Sequence, residues 1–254
     1  MCDACSSDSR RRFLKSAFTV AAGTLLLPSW LEASSKEKKP GTEEHAKDAP
    51  AAHPAPKAPA LTPDEALTRL LEGNRRFVAN KVFHPNETPT ARAKLATGQS
   101  PFAVILGCAD SRVPPEVVFD FGLGDLFVVR VAGNIVEDAG VGSIEYAVEH
   151  LGTPLVVVLG HERCGAVKAA IEALEAGEEG PGHIAELVRK LKPAVDAAKN
   201  VPGDRAENTM RENVRRMVAE LAGLEPILKE KVAEGKLKIV GARYDLDSGV
   251  VEII

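Results

Sequence analysis

Three short apolar runs, without alternating polar positions, mark the interior of this chain. They cover Phe102 to Leu106, Leu126 to Val131 and Leu155 to Leu159. Short, unbroken runs rich in β-branched residues predict strands that are buried on both faces of a parallel sheet. A later run, Leu237 to Ala242, predicts another strand, and a turn joins it to a final segment, Val250 to Ile254, at the sheet edge.

Helical patterns surround and separate these strands. Residues 62–65 read Thr-Pro-Asp-Glu, a capping box with proline at the first helical position, followed by Leu67, Leu70 and Phe77 at helical spacing. Further helices are predicted over Val141–Leu151, Ala166–Leu174, His183–Leu191 and Glu207–Leu221. The alternation of strands and helices predicts an α/β fold with a mostly parallel β-sheet flanked by helices. The predicted domain covers residues 61–254.

The first 35 residues do not follow this pattern. Residues 9–15 read Ser-Arg-Arg-Arg-Phe-Leu-Lys and precede a moderately apolar run from Ser16 to Leu31. The segment resembles a twin-arginine export signal, with a cleavage point after Ser35. The resemblance implies the twin-arginine export machinery as a partner and a periplasmic location. Because the apolar run is shorter than the roughly 20 residues that span a bilayer, we expect no stable membrane span in the mature form.

Composition shapes two further expectations. Residues 36–60 are rich in Lys, Glu, Ala and Pro, a composition that buries too little apolar surface to fold, so we predict a disordered linker there. The formal net charge of the chain is -4, which provides no basic surface for nucleic acid. A small-molecule substrate is therefore the expected partner.

Two cysteines and a histidine carry the candidate chemistry. Cys108 follows the first predicted buried strand, His161 follows the third, and Cys164 lies three residues later at the expected start of a helix. The carboxyl ends of parallel strands share one edge of the sheet, where α/β proteins bind ligands. Two thiolates and one imidazole form a zinc set with an open fourth position. Taken alone, each cysteine could also be a small apolar residue of the core. The histidine could likewise be a buried core residue with its hydrogen bonds satisfied.

The motifs around these residues resemble those of the β-class carbonic anhydrases. Cys108 begins a C-x-D-S-R motif, and His161 and Cys164 belong to a G-H-x-x-C-G motif. The resemblance covers residues 61–254 and implies zinc on Cys108, His161 and Cys164 and reversible hydration of carbon dioxide to bicarbonate and a proton. It also implies Asp110 and Arg112 as a catalytic dyad. In some members this aspartate is the fourth zinc ligand in a resting state, so Asp110 is a conditional ligand here.

The same resemblance extends to the substrate pocket and to the quaternary structure. It implies Gln99, Tyr146 and Gly165 as substrate-binding residues, with Gly165 leaving room beside the metal. It further implies an N-terminal helical arm that reaches a neighbouring subunit, in a homodimer or a higher even oligomer. Bicarbonate regulation stays open, because Arg130 matches a basic position of the regulatory pocket whereas Ile105 replaces its tryptophan.

Three alternatives to carbon dioxide hydration remain at this point. Some relatives of this family hydrolyse carbonyl sulfide or carbon disulfide on the same zinc site, so the first alternative is that this chain hydrolyses such an analogue of carbon dioxide. Cys164 and His161 could instead act as the nucleophile and base of a hydrolase. A zinc-stabilised interaction domain without catalysis is the third alternative, favoured if Asp110 permanently closes the metal site.

Overall fold

The computed structural model describes residues 61–254. The predicted export signal (1–35) and linker (36–60) lie outside the described residues. Across the described range, the helices are too short or too polar to cross a membrane.

Eight helices and five strands make up the described part of the chain. The helices are α1 (Pro63–Val78), α2 (Pro89–Leu95), α3 (Pro115–Val118), α4 (Asp138–His150), α5 (Gly165–Ala176), α6 (Ile184–Ala198), α7 (Arg205–Gly223) and α8 (Ile227–Ala233). The strands are β1 (Ala103–Gly107), β2 (Leu126–Arg130), β3 (Leu155–His161), β4 (Lys238–Tyr244) and β5 (Val251–Ile253). The predicted capping box is present, because the Thr62 side chain accepts from the Glu65 N–H while the Glu65 carboxylate accepts from the Thr62 N–H.

The five strands form one sheet in the order β2-β1-β3-β4-β5. The first four strands are parallel, and β5 pairs antiparallel with β4 at the edge. From β1 the chain moves to β2 on one side and then crosses back to β3 on the other side. The reversal makes the β1/β3 boundary a topological switch point, the place where open α/β sheets bind ligands. The predicted α/β class and mostly parallel sheet are confirmed.

Apolar side chains cover both faces of the sheet. The inner strands here are β1 and β3. On one face, Leu70 of α1 and Phe119 pack against Ile105 of β1 and Leu159 of β3. On the other face the inner strands pack against the helices that connect β2 to β4, with Val214 of α7 fully buried. Each inner strand thus contributes alternate residues to the two cores, which explains its unbroken apolar sequence.

Two expectations about these elements are wrong. β2 is only half-buried, not buried on both faces, because it is the edge strand of the sheet beyond β1. α6 continues to Ala198 instead of ending near Leu191, and it contains Pro193. The helix continues past the proline because Ala194, Val195 and Ala198 are buried against neighbouring helices, which outweighs the loss of one backbone hydrogen bond.

Candidate metal centre

The two strands at the switch point and the helix after β3 position the three predicted metal ligands. Cys108 directly follows β1, and His161 is the last residue of β3. Cys164 is the N-cap of α5, three residues beyond His161. The parallel pairing of β1 with β3 therefore brings together residues that are far apart in sequence.

The donor atoms of these residues form one compact, buried group. The Sγ atoms of Cys108 and Cys164 lie 4.0 Å apart. One donor atom from each of Cys108, His161 and Cys164 lies within 4.8 Å of the others. The three residues are 4%, 0% and 2% exposed. A group of two sulfurs and one nitrogen at these separations suits a tetrahedral cation that keeps one position open.

The hydrogen bonding of His161 leaves its second ring nitrogen free for a metal. Nδ1 lies 2.9 Å from the backbone oxygen of Glu162, so we assign the proton to Nδ1, which donates to that carbonyl. Nε2 is then an acceptor, and it is buried without a hydrogen-bond partner among residues 61–254. An unpartnered buried nitrogen is costly unless another group binds it. The donor set therefore fits zinc, for which neutral imidazole and thiolate are the preferred ligands.

The two thiols influence each other strongly. Hydrogen bonding with Cys164, and a further hydrogen bond from the Gly133 N–H, hold the pKa of Cys108 well below its ordinary value. The same interaction and burial raise the pKa of Cys164 far above its ordinary value. Two buried thiolates repel each other at this distance, and a divalent cation between them removes that repulsion.

Asp110 lies beside the donor group and is held there by Arg112. The Asp110 Oδ2 atom is 3.8 Å from His161 Nε2. Arg112 donates from Nε to Oδ1 at 2.9 Å and from NH2 to Oδ2 at 2.7 Å, and its backbone N–H donates to Oδ1 at 2.9 Å. These bonds from Arg112 hold the pKa of Asp110 well below its ordinary value. In this structure Asp110 is therefore an ionised partner of Arg112.

The end of β2 contacts the loop that carries Cys108 and Asp110. Arg130 donates from Nε to the Cys108 backbone oxygen at 2.9 Å and from NH2 to the Asp110 backbone oxygen at 2.6 Å. Gly133, in the turn that follows, donates its N–H to Cys108 Sγ at 3.3 Å, and its own oxygen accepts from Asn213. Sequence reasoning did not identify Asn213, although a polar residue on the buried face of an amphipathic helix is the signal that marks it.

The three predicted substrate-binding residues lie in different places. Gly165 is the first residue of α5, and a Cβ there would meet no atom of residues 61–254 within 4 Å, so this part of the chain leaves space open beside the donor group. Gln99 is exposed and precedes β1, at the opposite end of that strand from Cys108. Tyr146 lies in α4, with its ring centroid 6.4 Å from that of Phe127. Of the three, only Gly165 is next to a metal-ligand candidate in the chain.

Comparison with known proteins agrees with this arrangement. A family profile described as carbonic anhydrase matches residues 103–251. The chain is 46% identical over 191 residues to carbonic anhydrase 2 of Mycobacterium tuberculosis, covering 75% of this chain and 92% of that protein. It is 42% identical over 195 residues to the carbonic anhydrase of Mycolicibacterium smegmatis, covering 77% and 95%.

The fold is also similar to solved structures. One is from a study of two tetrameric β-carbonic anhydrases of Sordaria macrospora, with 28% identity and a TM-score of 0.59, covering 74% of this chain and 96% of that chain. The profile match extends over more than half of the sequence, and the curated relatives are covered almost completely. The chain is therefore an enzyme of the β-class of the carbonic anhydrase family.

Proposed function

We propose that this enzyme catalyses the zinc-dependent reversible hydration of carbon dioxide, with zinc held by Cys108, His161 and Cys164. The observation that supports it best is the Nε2 atom of His161, which has no hydrogen-bond partner among the described residues and is buried beside two thiol sulfurs and an arginine-held carboxylate. Zinc bound to such a set supplies a Lewis acid that acidifies water at neutral pH. Two thiolates and a neutral imidazole would cancel the charge of the bound cation, so neighbouring groups of this chain would have to help activate the water.

Asp110 provides that help in this proposal. Its side chain is 17% exposed, and it lies between the buried donor group and the half-exposed Arg112, so it faces both water and the donor group. An ionised carboxylate accepts a hydrogen bond from water and directs the water lone pair toward the carbon of the substrate. Arg112 fixes the carboxylate plane through its bidentate pair. The proton released in the reaction then passes to solvent or buffer.

Substrate oxygens are bound by donors around this carboxylate in the proposal. The backbone N–H of Gly165 is at the first position of α5, where helical N–H groups have no intrahelical acceptor. It can donate to a substrate oxygen at the open face of the donor group. Gln99 and Tyr146 complete the proposed pocket, and the position of Gln99 at the far end of β1 from Cys108 means that a neighbouring subunit must supply it.

The direct test is carbon dioxide hydration by Asp110→Asn, with zinc content measured on the same sample. The amide has the same shape but holds no charge, so we expect kcat/KM to fall by about a hundredfold while zinc stoichiometry is unchanged. Asp196→Asn is the matched control, because Asp196 forms an exposed pair with Lys192 on α6 away from the donor group. Wild-type activity in Asp110→Asn would contradict the proposed role.

The proposal includes export to the periplasm by the twin-arginine machinery. It is supported by the motif at residues 9–15, in which Arg10 and Arg11 occupy the paired arginine positions and Arg12 the variable one. Replacing Arg10 and Arg11 by Lys should keep the protein in the cytoplasmic fraction of a host that has this pathway. Arg12→Lys should be exported normally. Equal export of both variants would refute the signal.

A homodimer or higher even oligomer is the proposed assembly. The fungal β-carbonic anhydrases that share this fold are described as tetrameric. Light scattering of the purified protein should give a mass of two or four chains. A monomeric mass in the active protein would contradict both the assembly and the proposed contribution of Gln99 from a neighbour.

A further inference from the structure

The turn after β2 places one backbone N–H group against a predicted metal ligand. Gly133 donates to Cys108 Sγ at 3.3 Å, within a buried environment. Its φ angle is +77°, a left-handed conformation that favours glycine. A Cβ at this position would also lie 3.2 Å from Leu191. The direction of the Gly133 N–H group therefore depends on this left-handed backbone conformation, which neighbouring residues must stabilise.

Asn213 of α7 stabilises this turn through a hydrogen bond. Its Nδ2 atom donates to the Gly133 backbone oxygen at 2.9 Å, and the residue is 1% exposed. The amide orientation is determined, because the flipped amide would place two oxygens against each other. The two bonds are made by the N–H and the C=O of one residue, on either side of its Cα, so Asn213 connects to the Cys108 sulfur through Gly133 alone.

α7 is itself fixed close to the strand that carries His161. A Cβ on Gly160, the residue before His161, would lie 2.6 Å from both Met210 and Val214 of α7. The helix and the strand therefore approach as closely as a glycine allows. Asn213 lies between these two contacts in sequence, so its position relative to the donor group is fixed by packing.

We infer that Asn213 is a positioning residue for the metal centre, acting through the Gly133 N–H on the Cys108 sulfur. The inference rests on the proposed function, because it requires zinc at Cys108. A hydrogen bond to a metal-bound thiolate draws charge from the sulfur and fixes its direction. Losing a group that orients a metal ligand typically weakens metal binding about tenfold to a hundredfold.

The test is zinc affinity, measured by chelator competition on the full-length holoenzyme. Asn213→Ala removes the donor to Gly133 and should weaken zinc binding about tenfold or more. Thr209→Ala is the matched control, since Thr209 is one turn earlier on α7, is fully buried and has a hydroxyl without a partner among residues 61–254. Its zinc affinity should stay within about twofold of wild type.

A second readout reports on the metal–sulfur bond directly. Cobalt-substituted protein should show a shifted sulfur-to-cobalt charge-transfer band in Asn213→Ala and an unchanged band in Thr209→Ala. If Asn213→Ala does not fold, Asn213→Ser replaces it, because a serine hydroxyl is too short to reach the Gly133 oxygen. The inference is overturned if the folded Asn213 variant matches wild type in both measurements, or if Thr209→Ala changes them equally. A wild-type protein that binds no zinc would instead overturn the proposed function.

Discussion

Arg112 binds both carboxylate oxygens of Asp110, with nitrogen–oxygen distances of 2.9 and 2.7 Å. The pair fixes the carboxylate plane beside His161 Nε2 and keeps Asp110 ionised. We expect Arg112→Ala to lower kcat/KM for carbon dioxide hydration by about tenfold to a hundredfold, because the carboxylate is then free to rotate. Arg112→Lys should recover part of the loss, since lysine restores the charge but not the two parallel bonds. Stopped-flow kinetics of both variants at equal zinc content measures this.

Arg163 provides the control for a general effect of surface charge. It lies in the loop after β3, where its backbone oxygen accepts from Arg112 at 3.4 Å, and its 53% exposed side chain pairs with Asp247. Arg163→Ala should keep kcat/KM within about threefold of wild type, because exposed pairs contribute little. An equal loss in the Arg112 and Arg163 variants would show that net charge, and not the orientation of Asp110, controls the rate.

The inner strands and the donor group could be predicted from the sequence because their signals are local. β1 and β3 are unbroken apolar runs, and Cys108 and His161 come at their ends. The burial of β2 could not be predicted this way, since its run looks the same and only the order of strands puts it at the edge. Asn213 is marked in the sequence as a polar residue on the buried face of α7, but its partner could not be predicted, because the contact with Gly133 arises from the packing of α7 on the sheet.

Asp120 should make the stability of the fold depend on pH. Burial by itself raises the pKa of this carboxyl, but hydrogen bonds from Arg76 and from the Phe83 and His84 N–H groups outweigh burial, so the pKa lies below its ordinary value of 3.8. A lowered pKa stabilises the fold above about pH 4 and loses that contribution as pH falls through the folded value. Asp120→Asn should therefore cost about 3 kcal/mol at pH 7 and progressively less below pH 4.

Urea unfolding of wild type and Asp120→Asn across this pH range measures the difference. Asp196→Asn again serves as the control, because an exposed pair within one helix contributes at most about 0.5 kcal/mol at any pH. A stability difference for Asp120→Asn that does not change with pH would contradict the assigned loss of an ionised carboxylate.

Gly160 should be required for the close packing of α7 on β3. An added methyl group would overlap Met210 Sδ and Val214 Cγ2, both 2.6 Å from the ideal Cβ position. We expect Gly160→Ala to destabilise the protein by about 1–3 kcal/mol and to weaken zinc binding, since His161 is the next residue. Gly142→Ala in α4 is the control, because a Cβ there would meet no atom of the described residues within 4 Å. That change should be neutral or stabilising by up to about 1 kcal/mol.

Gln99 should act on the metal centre of a neighbouring chain. β1 alone is about 17 Å long, and Gln99 and Cys108 lie beyond its opposite ends. We expect Gln99→Ala and Asp110→Asn to be poorly active as separate oligomers. The two variants are then mixed, unfolded and refolded together. In each mixed dimer, the Gln99→Ala chain supplies an intact Asp110 and the Asp110→Asn chain supplies a wild-type Gln99, so one of the two sites is complete. Activity should then recover toward a quarter of wild type, whereas no recovery would place Gln99 and Asp110 in the same chain's site.

Removing the metal should destabilise the fold through the three donor residues. Without zinc, two thiols 4.0 Å apart stay buried, together with His161 Nε2, which has no hydrogen-bond partner in the described part of the chain. A ligand that binds only the native state stabilises it by about 2.7 kcal/mol at a hundredfold excess over its Kd. We therefore expect chelation to lower the thermal midpoint and added zinc to restore it.

Cys164→Ser should abolish most of this shift. Cys2→Ser combined with Cys5→Ser should keep it, because the N-terminal pair lacks the histidine and further cysteine that a zinc site requires. Loss of the shift in the Cys2/Cys5 variant would place the stabilising metal at the N-terminus and remove it from the switch point between β1 and β3.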